Sequence, residues 1–317
     1  MRIIYVNVST QSRGFYSTFF HNHYFPGENF NVTEVKYYSI CSGSMFLWIY
    51  ALFSSMKTPK NPLRLLRVSA TFHLTPHMIR VTLQGKGIRS IVPGCEGANC
   101  KLFLPQATQS LDDFANQLVE GPRPVVRTYT VRYIRPQIGE MDIDFVDHGD
   151  TGPASSWARA AKVGSFCGFA GPGQIKVESF YADHYLVVAD MSALPVAAAT
   201  LEAMPRDALG DAFFEVITPD DSQIIDAPKG VKLHWLVHPN THAPSTQLVD
   251  AVKSWDWPTG VVQTCIAGES SVVKALRRYI TLERGVAKED SYIAGYWKVG
   301  LIEDEHQQLK RSETVAT

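Results

Sequence analysis

Three things are scarce in this sequence: net charge, metal-type cysteine spacing and long apolar runs. Each lack removes a class of function. The formal net charge is −1 over 317 residues. Nothing global therefore draws the chain to nucleic acid or to an anionic membrane, although a local basic pocket is still allowed. Five cysteines (Cys41, Cys95, Cys100, Cys167 and Cys265) are scattered and odd in number. No CxxC or Cys/His spacing points to zinc or an iron–sulfur cluster, so no resident metal is expected. Free thiols in a reducing cytosol are the expectation, which makes the protein cytoplasmic. The strongest apolar run, residues 45–53, is shorter than the ~20 residues a membrane helix needs. It also lies far from the N-terminus and lacks a crowded basic flank, so neither a signal peptide nor stable membrane insertion is expected. A G-x-G-x-x-G fingerprint is absent too.

What is present is an ordinary globular mixture, 45% hydrophobic and 19% charged, with length for about two domains. The first 55 residues are aromatic-rich and poor in charge, with no clear periodicity. They are expected to be a poorly ordered extension or a non-native start. From residue 63 short β-type runs alternate with Gly/Pro turns: 65–72, 78–83, 100–104, 125–134 and 141–146. That pattern predicts an all-β antiparallel Greek-key barrel over 56–178, with one helix at 155–161.

After the glycine-rich stretch 163–173 the pattern changes. Strand-type runs at 185–190, 212–218, 233–237, 261–267 and 292–297 alternate with helix-type runs at 194–204, 246–255, 270–284 and 303–311. This predicts an α/β doubly wound parallel sheet over 179–317.

Five short motifs carry chemistry. In Arg127-Thr128-Tyr129-Thr130 a strand puts Arg127 and Tyr129 on one face. A guanidinium can grip a pyrophosphate in bidentate fashion, and a phenol can lie against a flavin ring. A regular strand turns the Thr130 side chain to the other face, so either the strand bends there or only the amide reaches the ring. Next, His148 and Gly149 end a strand, and Gly152-Pro153-Ala154-Ser155 opens a helix whose free amides suit a phosphate. Ser155 and Ser156 can add hydroxyl donors, and Trp157 is a packing residue or an adenine-side wall. Third, Ala189-Asp190-Met191-Ser192-Ala193-Leu194-Pro195 lies at the first strand–helix junction of the second half, where doubly wound sheets bind nucleotides. Fourth, the turn Ala267-Gly268-Glu269 lies on the same edge, with Glu269 placed to cap the next helix. Fifth, Gly295-Tyr296-Trp297-Lys298 sets two aromatics and a cation after the last strand. Each motif alone also reads as ordinary barrel surface, helix cap or core aromatic pair.

In this order the motifs resemble the siderophore-interacting protein family, the flavin-dependent ferric-siderophore reductases of the ferredoxin-reductase superfamily, with the vibriobactin-utilisation proteins as close relatives. The resemblance covers about residues 63–311. It implies FAD held by Arg127, Tyr129, Thr130, His148, Gly149, Gly152, Pro153, Ala154 and Ser155. It implies NAD(P)H framed by Asp190, Ser192, Ala193, Ala267, Gly268 and Glu269, with NADPH weakly preferred over NADH. Asp220 and Asp221, at the end of the second parallel strand, argue against a 2′-phosphate. Lys298 is the best basic contact for a ferric siderophore, expected to be of catecholate type, with Arg277 and Arg278 as weaker ones. Two features depart from the family pattern: Cys265-Ile266 replaces an aromatic before Ala267, and the N-terminal extension is foreign to it. The implied reaction carries electrons from NAD(P)H through FAD to Fe(III) by outer-sphere transfer. A general flavin reductase or electron-transfer partner, and a non-catalytic siderophore-binding protein, are the competing readings.

Overall fold

The run 125–134, expected to be one long strand, falls in two strands that join the opposite ends of one sheet. In the computed structural model β6 (Val125–Thr130) pairs with one neighbour and β7 (Tyr133–Arg135) with another. The model describes residues 8–11, 15–18, 63–149, 152–175, 177 and 179–301. The chain divides into two compact units, Met1–Thr58 and Pro59–Thr317. In the first, β1 (Val8–Gln11) and β2 (Phe15–Thr18) form an antiparallel hairpin. The expected state of the rest of residues 1–55, and the expected helix 303–311, lie outside the described residues.

The second unit begins with β3 (Arg64–Thr75), β4 (Met78–Gln84) and β5 (Asn99–Leu104). With β6, β7, β8 (Glu140–Val146) and β9 (Phe166–Ala170) they make a seven-stranded sheet, order β6-β5-β9-β3-β4-β8-β7. Every pairing in it is antiparallel. Between β6 and β7 the Val131 amide donates to Ala98 and the Arg132 amide to Asp142, so the chain changes partner within two residues. That step brings the two sheet edges together as a barrel. Its interior is apolar, with Leu66, Leu83, Leu102, Ile143, Phe145 and Phe169 fully buried.

Helix α1 (Leu111–Glu120) was not anticipated. Ser110 caps it, its hydroxyl accepting the Asp113 amide at 3.2 Å, a Ser-x-x-Asp start signal. Helix α2 (Pro153–Ala160) is the anticipated one.

The remaining strands are β10 (His184–Asp190), β11 (Leu209–Val216), β12 (Gly230–Val237), β13 (Val262–Glu269) and β14 (Ser291–Trp297). They form a wholly parallel sheet, order β12-β11-β10-β13-β14. Strand order reverses between β10 and β13, the topological switch point of a doubly wound sheet. β13 is buried along its whole length, as a central parallel strand should be.

Helix α3 (Leu194–Ala203) covers one sheet face. Helices α4 (Gln247–Ser254) and α5 (Ser270–Arg278) cover the other. α3 is apolar nearly all round because both of its sides are covered. One faces the sheet, and the other meets the barrel, where a Cβ on Gly97 would touch Ala199 at 3.4 Å. α5 is shorter than expected: at Tyr279 it passes into a wider π-type turn that ends at Gly285, φ +69°.

Candidate active site

Where the barrel meets the parallel sheet, the motif residues gather on both sides. Tyr129 is half-buried and packs on the barrel core, its ring centroid 4.4 Å from Phe145. Trp157 continues that stack at 5.7 Å from Phe145, so it is a packing residue. Arg127 pairs with Leu102 and Tyr129 with Cys100, which puts both side chains on one face. Arg127 donates one guanidinium hydrogen bond to the Val126 carbonyl at 2.9 Å. Thr130 is buried, and its hydroxyl lies close enough to the Tyr296 phenol of β14 to favour the phenolate against the stronger push of burial. The strand is regular, so Thr130 does turn away from Tyr129. It turns toward the second sheet.

The His148–Ser155 turn is built for close approach. Gly149 has φ +81°, a conformation that favours glycine. Its amide is held by Asp147 at 3.1 Å. The exposed His148 ring lies over the start of α2, where a Cβ on Gly152 would come within 3.0 Å of its Cε1. Ser155 is buried, and its hydroxyl donates to the Gly149 carbonyl at 2.9 Å. That proton is therefore spent on closing the turn, and only the Ser155 amide is left for a ligand. Pro153 at the first helical position has no amide to satisfy. Ala154 is buried under the turn. The small residues, the glycine turn and the open helix start fit an anionic diphosphate. Tyr129, stacked through Phe145 to Trp157 of the same helix, adds a ring face, and with the cation of Arg127 on the same strand face the residue set fits a flavin dinucleotide.

At the switch point the parallel sheet ends in a hydrogen-bonded latch. Asp190 ends β10 and is buried. It accepts the Ser192 amide at 2.9 Å and the Ser192 hydroxyl at 2.5 Å. It also accepts the Glu269 amide at 2.7 Å and the Trp297 indole N–H at 2.7 Å. One carboxylate thus ties the C-terminal ends of β10, β13 and β14. Burial raises its pKa against the pull of these donors. Gly268 sits at φ +140°, and a Cβ there would be 2.5 Å from Asp190 Oδ2, so the latch needs glycine. Glu269 caps α5, accepting the Ser271 amide at 2.6 Å and the Val272 amide at 3.1 Å. Ala193 and Ala267 are buried and half-buried Ser192 flanks them, leaving a shallow edge of small residues.

Lys298 is half-buried just beyond β14. Arg277 and Arg278 are exposed in the last turn of α5, and Arg277 donates to the Ile293 carbonyl at 2.6 Å. That carbonyl lies mid-strand, five residues before Lys298, or roughly 16 Å at strand rise. The structure does not bring these arginines to Lys298. Asp221, one of the two acids read as arguing against a 2′-phosphate, is fully buried and occupied. It accepts the Thr75 hydroxyl at 2.9 Å and the His77 amide at 2.9 Å, and pairs with His77 Nδ1 at 2.8 Å. The Thr218 amide, at 3.0 Å, and hydroxyl, at 2.8 Å, complete the set. It locks the β3–β4 turn to the loop after β11, and only Asp220 remains exposed there.

Sequence reading missed a second lock. Arg132, 3% exposed, makes a bidentate pair with Glu202 of α3 at 2.7 and 2.5 Å, and its guanidinium lies 4.0 Å from the Tyr133 ring centroid. The available signal was a second arginine, after Arg127, inside the β-type run 125–134.

The siderophore-interacting FAD-binding domain model matches residues 67–176. The siderophore-interacting protein model matches residues 182–300. The chain is 33% identical to a ferric vibriobactin reductase of Vibrio cholerae, over 77% of this chain and 93% of that protein. It is 38% identical to an uncharacterised Mycobacterium tuberculosis protein, over 79% of this chain and 95% of that one. Among solved structures, the siderophore-interacting protein SipS of Aeromonas hydrophila superposes with a TM-score of 0.70 at 32% identity, covering 82% of this chain and 100% of that one. Two family models placed end to end over both sheets, and relatives aligned over nearly their full length, lead to one assignment: the chain belongs to the siderophore-interacting protein family.

Proposed function

We propose that the protein is a flavin-dependent ferric-siderophore reductase, with an FAD domain over 56–178 and an NAD(P)H domain over 179–317. The observation that carries this reading is the position of Thr130. It ends the strand that bears Arg127 and Tyr129, and its hydroxyl lies near enough to Tyr296, at the end of the parallel sheet, to act on that phenol. A ring lying along β6 would therefore present its edge to the switch point, where a nicotinamide would arrive. Likeness to a ferric vibriobactin reductase along nearly its whole length supports the same reading.

Bound FAD would accept a hydride and hand electrons on singly, which couples a two-electron donor to a one-electron acceptor. The chain's own residues do the rest. Arg127 and the His148–Ser155 turn bind the diphosphate. Tyr129, braced by Phe145, sets the plane of the ring. The Asp190 latch holds Ala193, Ala267 and Gly268 flush, so that the coenzyme can approach closely. Lys298 offers positive charge to an anionic catecholate chelate. Fe(III) prefers hard oxygen ligands more strongly than Fe(II) does, so reduction loosens the chelate.

NADPH is the proposed donor. Of the two acids that argued against a 2′-phosphate, Asp221 is turned into the β3–β4 lock, which leaves only Asp220 exposed at that strand end.

The test is anaerobic stopped-flow on the yellow purified protein. NADPH should bleach the flavin faster than NADH, and a ferric catecholate should restore its colour. Lys298→Ala should raise the KM for the chelate by about tenfold, the loss of one charge-assisted contact. Protein isolated without flavin and unable to take it up would sink the reading. So would a bleached flavin that ferric chelates fail to re-oxidise.

A further inference from the structure

A polar cavity of about 240 Å³ lies away from the coenzyme edge, at the N-terminal ends of β10, β13 and β14. Gln263 is the second residue of β13 and Glu269 its last, so the cavity and that edge are roughly 20 Å apart at strand rise. Buried Val187 and Met204 give the cavity an apolar wall. Gln263 shares its sheet face with Cys265, and both line the cavity. Gln263 is only 7% exposed, and its Oε1 has no hydrogen-bond partner among the described residues.

The other polar groups lean the same way. Glu289 and Asp290 bring two carboxylates, and no lysine, arginine or histidine among the described residues lines the cavity. Its hydroxyl donors are engaged. Tyr181 donates to Asp290, and Ser291 donates to the Ala287 carbonyl at 2.9 Å. The Tyr292 hydroxyl lies 3.1 Å from that of Tyr296. Tyr181 and Glu289 are exposed and so mark the mouth. A buried open acceptor, negative charge at the mouth and spent donors call for a guest that brings N–H donors and positive charge. At about 240 Å³ the space falls below the ~300–1,000 Å³ of drug-sized pockets, so the guest is small.

We propose that this cavity binds a small alkylammonium ion, a short-chain primary amine in its protonated form. An ammonium has three donors and no acceptor. Its N–H groups meet Gln263 Oε1 and the carboxylate of Glu289, and its alkyl part lies on Val187 and Met204. The phenols of Tyr181, Tyr185 and Tyr292 around the cavity add the attraction of aromatic rings for a cation. The site is independent of the flavin reading, because none of its residues belongs to the FAD or coenzyme motifs.

The test titrates n-butylammonium into the purified protein carrying ¹³C-labelled tyrosine, at constant ionic strength, with n-butanol and butyrate as controls. The Tyr181, Tyr185 and Tyr292 resonances should shift and saturate with the ammonium, while that of Tyr129 in the barrel stays in place. Butanol should bind at least about tenfold more weakly, since it lacks the charge-assisted bonds, and butyrate should not bind. Gln263→Leu should weaken the ammonium by about tenfold. Glu289→Gln, at the exposed mouth, should weaken it by about two- to fivefold. Both variants should keep wild-type melting behaviour and wild-type reduction of ferric chelates, which separates a lost site from a damaged fold. Butanol binding as tightly as the ammonium would overturn the cation site. So would wild-type affinity in both variants. Tyrosine resonances that no probe moves would leave the cavity to water and overturn it as well.

Discussion

The two edges that meet at Thr130 are built on opposite plans. On the barrel side, polar groups are left nearer the surface: His148 is exposed and Arg127 is half-buried. On the sheet side, polar groups are consumed by one another. Asp190 takes four hydrogen bonds from Ser192, Glu269 and Trp297 and is 8% exposed. The difference matches two kinds of guest. A cofactor that stays can be met by polar groups near the surface of its cradle. A coenzyme that comes and goes needs a smooth, rigid edge and few groups to desolvate at each visit.

The largest expected effect comes from breaking the internally satisfied edge. Asp190→Ala strands three donors, the buried amide of Glu269 and the half-buried Ser192 amide and Trp297 indole. A stranded donor costs roughly 1–3 kcal/mol, so a loss of about 3 kcal/mol or more is expected. Guanidinium denaturation measures it, and FAD affinity of the folded fraction should change little. The converse variant is Arg127→Ala. Losing a charge-assisted contact worth roughly 1.5–3 kcal/mol should weaken FAD binding by about 10- to 100-fold. Stability should stay within about 1 kcal/mol. Titration of flavin-free protein with FAD checks it. If both variants lost stability and affinity together, the contrast between the edges would be wrong.

The contrast was only partly legible in the sequence. The apolar run of β10 and the strand–helix alternation gave away the parallel sheet, because buried parallel strands carry that pattern. The Gly-Pro-Ala-Ser turn was legible because glycine and proline have local meaning. The break between β6 and β7 was not. Val131 and Arg132 continue a β-type run, and only their partners, Ala98 and Asp142, reveal the change. The reading of Asp221 failed for the same reason. An acid at a strand end looks like a ligand contact until Thr75 and His77 arrive from 144 or more positions earlier in the chain. Ser155 shows it within one motif: its hydroxyl faces back to Gly149, which spacing does not reveal.

Asp221 also gives the smallest and most specific prediction. It belongs to neither edge. Its lock fixes the turn between β3 and β4 to the loop after β11, so it bears on how the two are held together. Burial works to raise its pKa, but hydrogen bonds from His77, Thr218 and Thr75 outweigh burial and hold it below the usual carboxylate range. A depressed carboxylate stabilises the fold above its unfolded value, about 3.9, and that contribution fades as pH falls through the lower folded value. Asp221→Asn should therefore cost about 1–2 kcal/mol at neutral pH. The gap between wild type and variant should stay level through weak acid and close only below about pH 4. Thermal melts of both proteins across that range measure it. A gap that widened in acid would mean that the protonated acid, and not the carboxylate, makes the lock. A gap absent at neutral pH would mean that the Asp221 lock adds nothing to the Arg132–Glu202 pair and the apolar packing around Met78.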